Sequence, residues 1–168
     1  MFGRVVASKQ VAAHATELKI SDATAMLDRL LMVKLDCEIE AIRSAAHLAD
    51  EGYAVFRNAA REGRKDYELV AEAEAFFRTR GVDDNFMIIG VGGQEVRGMA
   101  PPMGKRLKPG DLVTTELTPC VNGYYIQICR TLVIGAESAE QREAFGVYHD
   151  ALEAGVAAVP DADVFAGD

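Results

Sequence analysis

The stretch from Gly110 to Gly135, GDLVTTELTPCVNGYYIQICRTLVIG, constrains this chain more than any other. It holds two runs of strand character that meet at Asn122-Gly123. Asn-Gly between such runs is a strong short-range signal for a two-residue hairpin turn. A type I′ turn there sets Val121 opposite Tyr124, Cys120 opposite Tyr125, Thr118 opposite Gln127 and Glu116 opposite Cys129. Side chains alternate between the faces of a strand. Glu116, Thr118, Cys120, Tyr125, Gln127 and Cys129 therefore share one face, flanked by Val113, Leu117, Ile126 and Ile128. A polar face of that kind is either solvated or lines a cleft.

The chain has 168 residues, enough for one domain with its own core. Its formal net charge of −8 argues against a nucleic-acid partner. The short basic runs Arg61 to Lys65 and Lys105 to Lys108 read as solvated loops. No apolar run approaches membrane-spanning length, so no membrane partner is expected. Three cysteines, Cys37, Cys120 and Cys129, without a CxxC pair or a signal pattern, lead to the expectation of a reducing cytoplasm.

Upstream of the hairpin the pattern is helical. Ser21 is placed to cap a short helix carrying Leu27, Leu30 and Leu31, and Asp36 to cap a second running to about Arg61. Gly52 inside the second costs about 1 kcal/mol relative to Ala unless a neighbour packs close there. Asp66 is placed to cap a third helix to about Arg80, with Leu69, Ala73 and Phe77 on its buried stripe and Gly81 as its stop. Glu68, Glu72 and Glu74 form no tight cluster and read as a solvated face. Phe86 to Val91 reads as a central, buried strand. Beyond the hairpin, Ser138 and Gln141 make a capping box for a last helix carrying Phe145, Tyr148, Leu152, Val156 and Val159. His14 and His149 read as surface residues, and His47 as a partly buried or surface helix residue. Arg130, on the face opposite Gln127, needs a carboxylate or backbone partner.

GDLV, then GYY, then RT and a Gly-terminated strand resemble the metal-binding hairpin of the M24 metallopeptidases. This is the "pita-bread" family of aminopeptidase P, prolidase, methionine aminopeptidase and creatinase. Arg29 to Ile42, with Lys34 and Glu38-Ile39, resembles the family's lead-in to its first helix. Phe86 to Pro102 resembles the strand and loop carrying its first histidine. The resemblance implies an α+β fold, a curved, mainly antiparallel sheet with helices on its outer face. It implies the first half of a pita-bread domain over 22–160, with 1–21 as a linker from a missing N-terminal domain and 161–168 as a tail. The family's second half, with a further histidine and two glutamates, is expected to be absent.

The departures from the family concern its ligands. By resemblance, its first metal-binding aspartate falls on Glu116, its bridging aspartate on Gln127 and its first histidine on Met99. Gln127 offers a neutral carbonyl and Met99 a thioether suited to soft metals. A two-metal hydrolase needs several carboxylates. No cofactor is therefore expected, a single divalent cation at Glu116 being the alternative. Glu116 and Gln127 are the candidate catalytic residues; Arg97, Met99 and Tyr125 are the candidate substrate-binding residues. The expected function is hydrolysis of a C–N bond in a small amino-acid-like or amidino substrate. The alternative is a catalytically silent binding or assembly module. A half-domain leaves the inner face of its sheet apolar and exposed, so a homodimer or a complementing second half is expected.

Overall fold

A computed structural model describes residues 21–93, 96 and 98–159. The chain divides into two compact units, residues 1–39 and 40–168. In the first, helix α1 spans Thr24–Met32. Asp22, rather than Ser21, receives the Thr24 amide, at 2.8 Å. Leu27, Leu30 and Leu31 of α1 are all exposed. The Glu38 carboxylate accepts the Leu35 amide at 2.7 Å, where helix α2, Asp36–Ala59, begins. The linker and tail expectations, and His14, fall outside the described residues.

In the second unit α2 continues into helix α3, Asp66–Thr79, and then four strands. These are β1 (Asp84–Gly92), β2 (Leu112–Val121), β3 (Tyr124–Tyr125) and β4 (Ile128–Val133), followed by helix α4, Ala139–Ala158. All pairings are antiparallel, and β2 is the central strand, with β1 on one side and β3 and β4 on the other. Phe86 to Val91 is thus not central. Beyond its pairing with β2, β1 meets only an isolated bridge between Ile89 and Ala100, among the described residues.

One face of the sheet is covered. Val113, Thr115 and Leu117 of β2 are fully buried there, in a core with Phe56 of α2 and Leu69, Ala73 and Phe77 of α3. Thr115 keeps its hydroxyl satisfied on the Ile88 carbonyl at 3.1 Å. Gly52 is explained by this packing. A Cβ there would lie 2.2 Å from Phe77 Cζ, so only glycine lets the ring sit against the α2 backbone. On the same side, at the sheet margin, Arg130 Nη2 lies 4.0 Å from Asp50 Oδ1 of α2. Both side chains are substantially exposed, and a pair of that kind contributes little.

The hairpin turn has the expected geometry. Asn122 and Gly123 have φ of 52° and 82°, as a type I′ turn requires. Val121 pairs with Tyr124, Cys120 with Tyr125 and Glu116 with Cys129. Between these pairs the ladder is interrupted at Ile126 and Gln127. The cause is Pro119. Ile126 donates to the Pro119 carbonyl at 3.1 Å, but proline has no N–H to return the bond.

One other expectation is corrected. Asp66 is the first residue of α3, not its cap, and its carboxylate serves a loop described below. Glu68, Glu72 and Glu74 each have a partner: the Lys65 amide at 2.6 Å, Arg64 at 3.0 Å and Asn85 Nδ2 at 2.6 Å. The capping box of α4 forms as expected, Ser138 and Gln141 exchanging bonds of 3.2 and 2.9 Å. Gln141 also donates to the Gly110 carbonyl at 3.0 Å, which ties α4 to the start of the hairpin. Phe145, Tyr148, Leu152 and Val156 of α4 are all exposed.

Candidate functional site

The register defines the open face of the sheet. Across it, Ile88, Glu116 and Cys129 form one row, and Gly90, Thr114 and Thr131 form the next. In the first of these rows Cys129 Sγ lies 3.9 Å from Glu116 Oε2. Burial pushes the Cys129 thiol above its ordinary pKa, and the neighbouring Glu116 carboxylate adds to the rise. The thiol therefore stays protonated at neutral pH and donates toward the carboxylate. In the adjacent row the Thr114 and Thr131 hydroxyls are 3.0 Å apart. The alternation that pairs Glu116 with Cys129 also pairs these threonines, and extending it by two residues would have found them.

Gln127 lies beyond Cys129 in the gap opened by Pro119, and its side chain is exposed. The strand alternation brings it to the level of Thr118, two residues and roughly 7 Å along β2 from Glu116. Thr118 Oγ1 is buried without a hydrogen-bond partner in the structure. Tyr125 is set apart from this group. It pairs with Cys120, four residues and roughly 13 Å from Glu116. Its hydroxyl donates to Asp84 Oδ2 at 3.1 Å, across the buried Cys120. That hydrogen bond, with the charge of Asp84, holds the Tyr125 hydroxyl above its ordinary pKa.

Met99 is half-buried on a loop outside the free edge of β1. Its neighbour Ala100 exchanges two backbone bonds with Ile89, at 2.9 and 3.1 Å. Gly98 packs over the open face. A Cβ on Gly90 would lie 2.4 Å from the Gly98 carbonyl oxygen and 2.6 Å from Val96 Cγ1. Arg97 lies outside the described residues. The structure thus brings Glu116 and Cys129 together, with Gln127 near them, sets Met99 one strand away, and separates Tyr125 from the rest. Among the described residues, no three His, Cys, Asp or Glu side chains converge to hold a metal ion. No helix among them is long and apolar enough to cross a membrane.

Comparison with known proteins agrees with this architecture. The family model for metallopeptidase family M24 matches residues 40–168. The Xaa-Pro dipeptidase of Pyrococcus furiosus is 29% identical over 142 residues, which cover 83% of this chain and 40% of that protein. The solved prolidase from the same organism superposes with a TM-score of 0.73 at 28% identity, covering 77% of this chain and 39% of the other. The prolidase from Pyrococcus horikoshii superposes with a TM-score of 0.80 at 23% identity, over 91% of this chain and 44% of that one. The chain therefore spans about 40% of the length of the curated relatives it matches. It has the α+β architecture of part of a pita-bread domain, and it belongs to metallopeptidase family M24.

Proposed function

We propose that residues 40–168 form one wall of the cleft of an M24-type hydrolase that cleaves a C–N bond in a small amino-acid-like or amidino substrate. In this reading Glu116 is the acid–base residue, and no two-metal centre is formed. The observation that carries it is the open face around Glu116, a single carboxylate whose cross-strand partner is the Cys129 thiol, with the neutral amide of Gln127 beside it at the position assigned by resemblance to the bridging aspartate. The donors present do not fit a pair of bridged cations, which needs several carboxylates to offset the charge. Gln127 supplies a neutral amide suited to orienting a polar substrate. The protonated Cys129 is a hydrogen-bond donor to Glu116, not a nucleophile. Met99 and Arg97 are assigned to substrate contacts beside Glu116, and Tyr125, tied to Asp84, to a contact at the far end of a longer substrate. The names of the relatives, Xaa-Pro dipeptidase and prolidase, support an amino-acid-like substrate.

The protein acts in the cytoplasm, as a homodimer or with a complementing segment that completes the cleft. Exposed Phe145, Tyr148, Leu152 and Val156 on α4 support such an association. They equally favour the second reading, a catalytically silent binding or assembly module. The test is turnover of proline-containing dipeptides and of small amidino compounds, with chelator and with added Mn²⁺ or Co²⁺. Turnover that chelator leaves unchanged and Glu116→Gln abolishes is expected. Turnover that requires added metal overturns the metal-independent mechanism. No turnover under any condition leaves the assembly module as the function.

A further inference from the structure

The loop beside the open face has few backbone amides available to hold it. Pro101 and Pro102 have none, so its second half can be held only from Met103 onward. Both of the next two amides go to one side chain. Met103 N donates to Asp66 Oδ2 at 3.0 Å and Gly104 N to Asp66 Oδ1 at 2.8 Å. The Tyr67 amide adds a third bond to the same carboxylate, at 2.7 Å. Asp66 itself donates its N–H to the Lys105 carbonyl at 3.0 Å. Asp66 as a residue is only 4% exposed.

We propose that Asp66 is the positioning residue of loop 98–104, fixing from the N-terminus of α3 where Met99 lies beside the Glu116 face. The loop is pinned at three places. Gly98 presses on Gly90, Ala100 pairs with Ile89, and residues 103 and 104 hang from Asp66. The Pro-Pro spacer between the last two pins is stiff, about 3.1 Å per residue in its extended form. Movement at Met103 is therefore passed on to Ala100 and Met99 instead of being absorbed between them. A side chain that only capped α3 would direct its oxygens at the helix's own amides. The amides of Met103 and Gly104 on Asp66 instead come from residues 37 and 38 positions away.

The test is amide hydrogen exchange of the full chain, resolved by residue, for wild type, Asp66→Asn and Asp66→Ala. It needs no turnover, so its result is independent of whether the hydrolase reading holds. Asp66→Ala should accelerate exchange at Ala100, Met103 and Gly104 at least tenfold more than it does at Leu69, Phe77 and Val113, whose exchange reports the loss of global stability alone. Asp66→Asn, which keeps one acceptor oxygen, should fall between, and it carries the test if the alanine variant does not fold. A ¹³C-methyl signal of Met99 should shift in the same order. Exchange at Ala100 that stays at the wild-type rate, or rises equally throughout the core, overturns the proposal.

Discussion

The two faces of the same sheet are held by different means. On the covered face, order comes from shape: Phe77 fills the space that Gly52 leaves, and Val113, Thr115 and Leu117 are sealed beneath α2 and α3. On the open face, order comes from polar contacts across the strands: Glu116 with Cys129, Thr114 with Thr131, and Tyr125 reaching over β2 to Asp84. The first kind of order tolerates almost no change of volume. The second is indifferent to volume and sensitive to charge. β2 carries both, one on its odd and one on its even residues, so neighbouring positions are expected to respond to mutation in opposite ways.

The contrast is sharpest at Phe77. Phe77→Ala is expected to destabilise the protein by about 3–5 kcal/mol, as for other buried aromatics, in a denaturant titration. Gly52→Ala should cost about 1–3 kcal/mol by overpacking against the same ring, and less when Phe77 is already alanine. If the two substitutions simply add, the close approach is not what holds this face.

Asp66 stands between the two regimes, a charge on the buried side. Burial pushes its carboxyl upward, but the amides of Met103, Lys105, Gly104 and Tyr67 outweigh that and hold it below the ordinary value. Its contribution is therefore fully present above the unfolded carboxyl pKa of about 3.9 and is lost as the pH falls through the lower, folded value. Asp66→Asn should cost about 1–3 kcal/mol at pH 7 and remove that part of the acid dependence. Equal losses of stability on acidification in wild type and variant would show that other carboxylates carry it.

On the open face the expected effect of Glu116→Gln is chemical. Stability should change by less than about 0.5 kcal/mol, as at most surface positions. The Cys129 thiol should ionise at lower pH once the neighbouring charge is gone, and alkylate faster at pH 8. Only part of the rise disappears, because burial is its larger cause. The smallest effect is expected at Tyr125→Phe. It removes the bond to Asp84, and a spectrophotometric titration should lose one high-pH tyrosine while the core signal stays unchanged.

Much of this was legible where the information is local. Asn122-Gly123 predicts the turn and, through it, the pairing of Glu116 with Cys129, because a two-residue turn sets every later pair. Ser138 and Gln141, three residues apart, predict their own reciprocal bonds. Gly52 is costly in a helix without a close neighbour, and Phe77 is that neighbour. What could not be read depends on distant partners. Nothing near Asp66 in the chain announces that its oxygens will serve Met103 and Gly104. The apolar run of β1 reads as a central strand because both its faces are in contact. The cover on one of those faces comes from Val96 and Gly98, a loop and not a second strand. Pro119 is legible in the same local way: a proline in a strand flanked on both sides removes one rung.

That missing rung has a mechanical consequence. A load drawing Asn122-Gly123 away from the sheet would meet the two pairs of β3, then the interruption opposite Pro119, then the six pairs of β4. The hairpin would yield in two stages, its tip peeling at low force while Glu116 and Cys129, beyond the interruption, stayed in register.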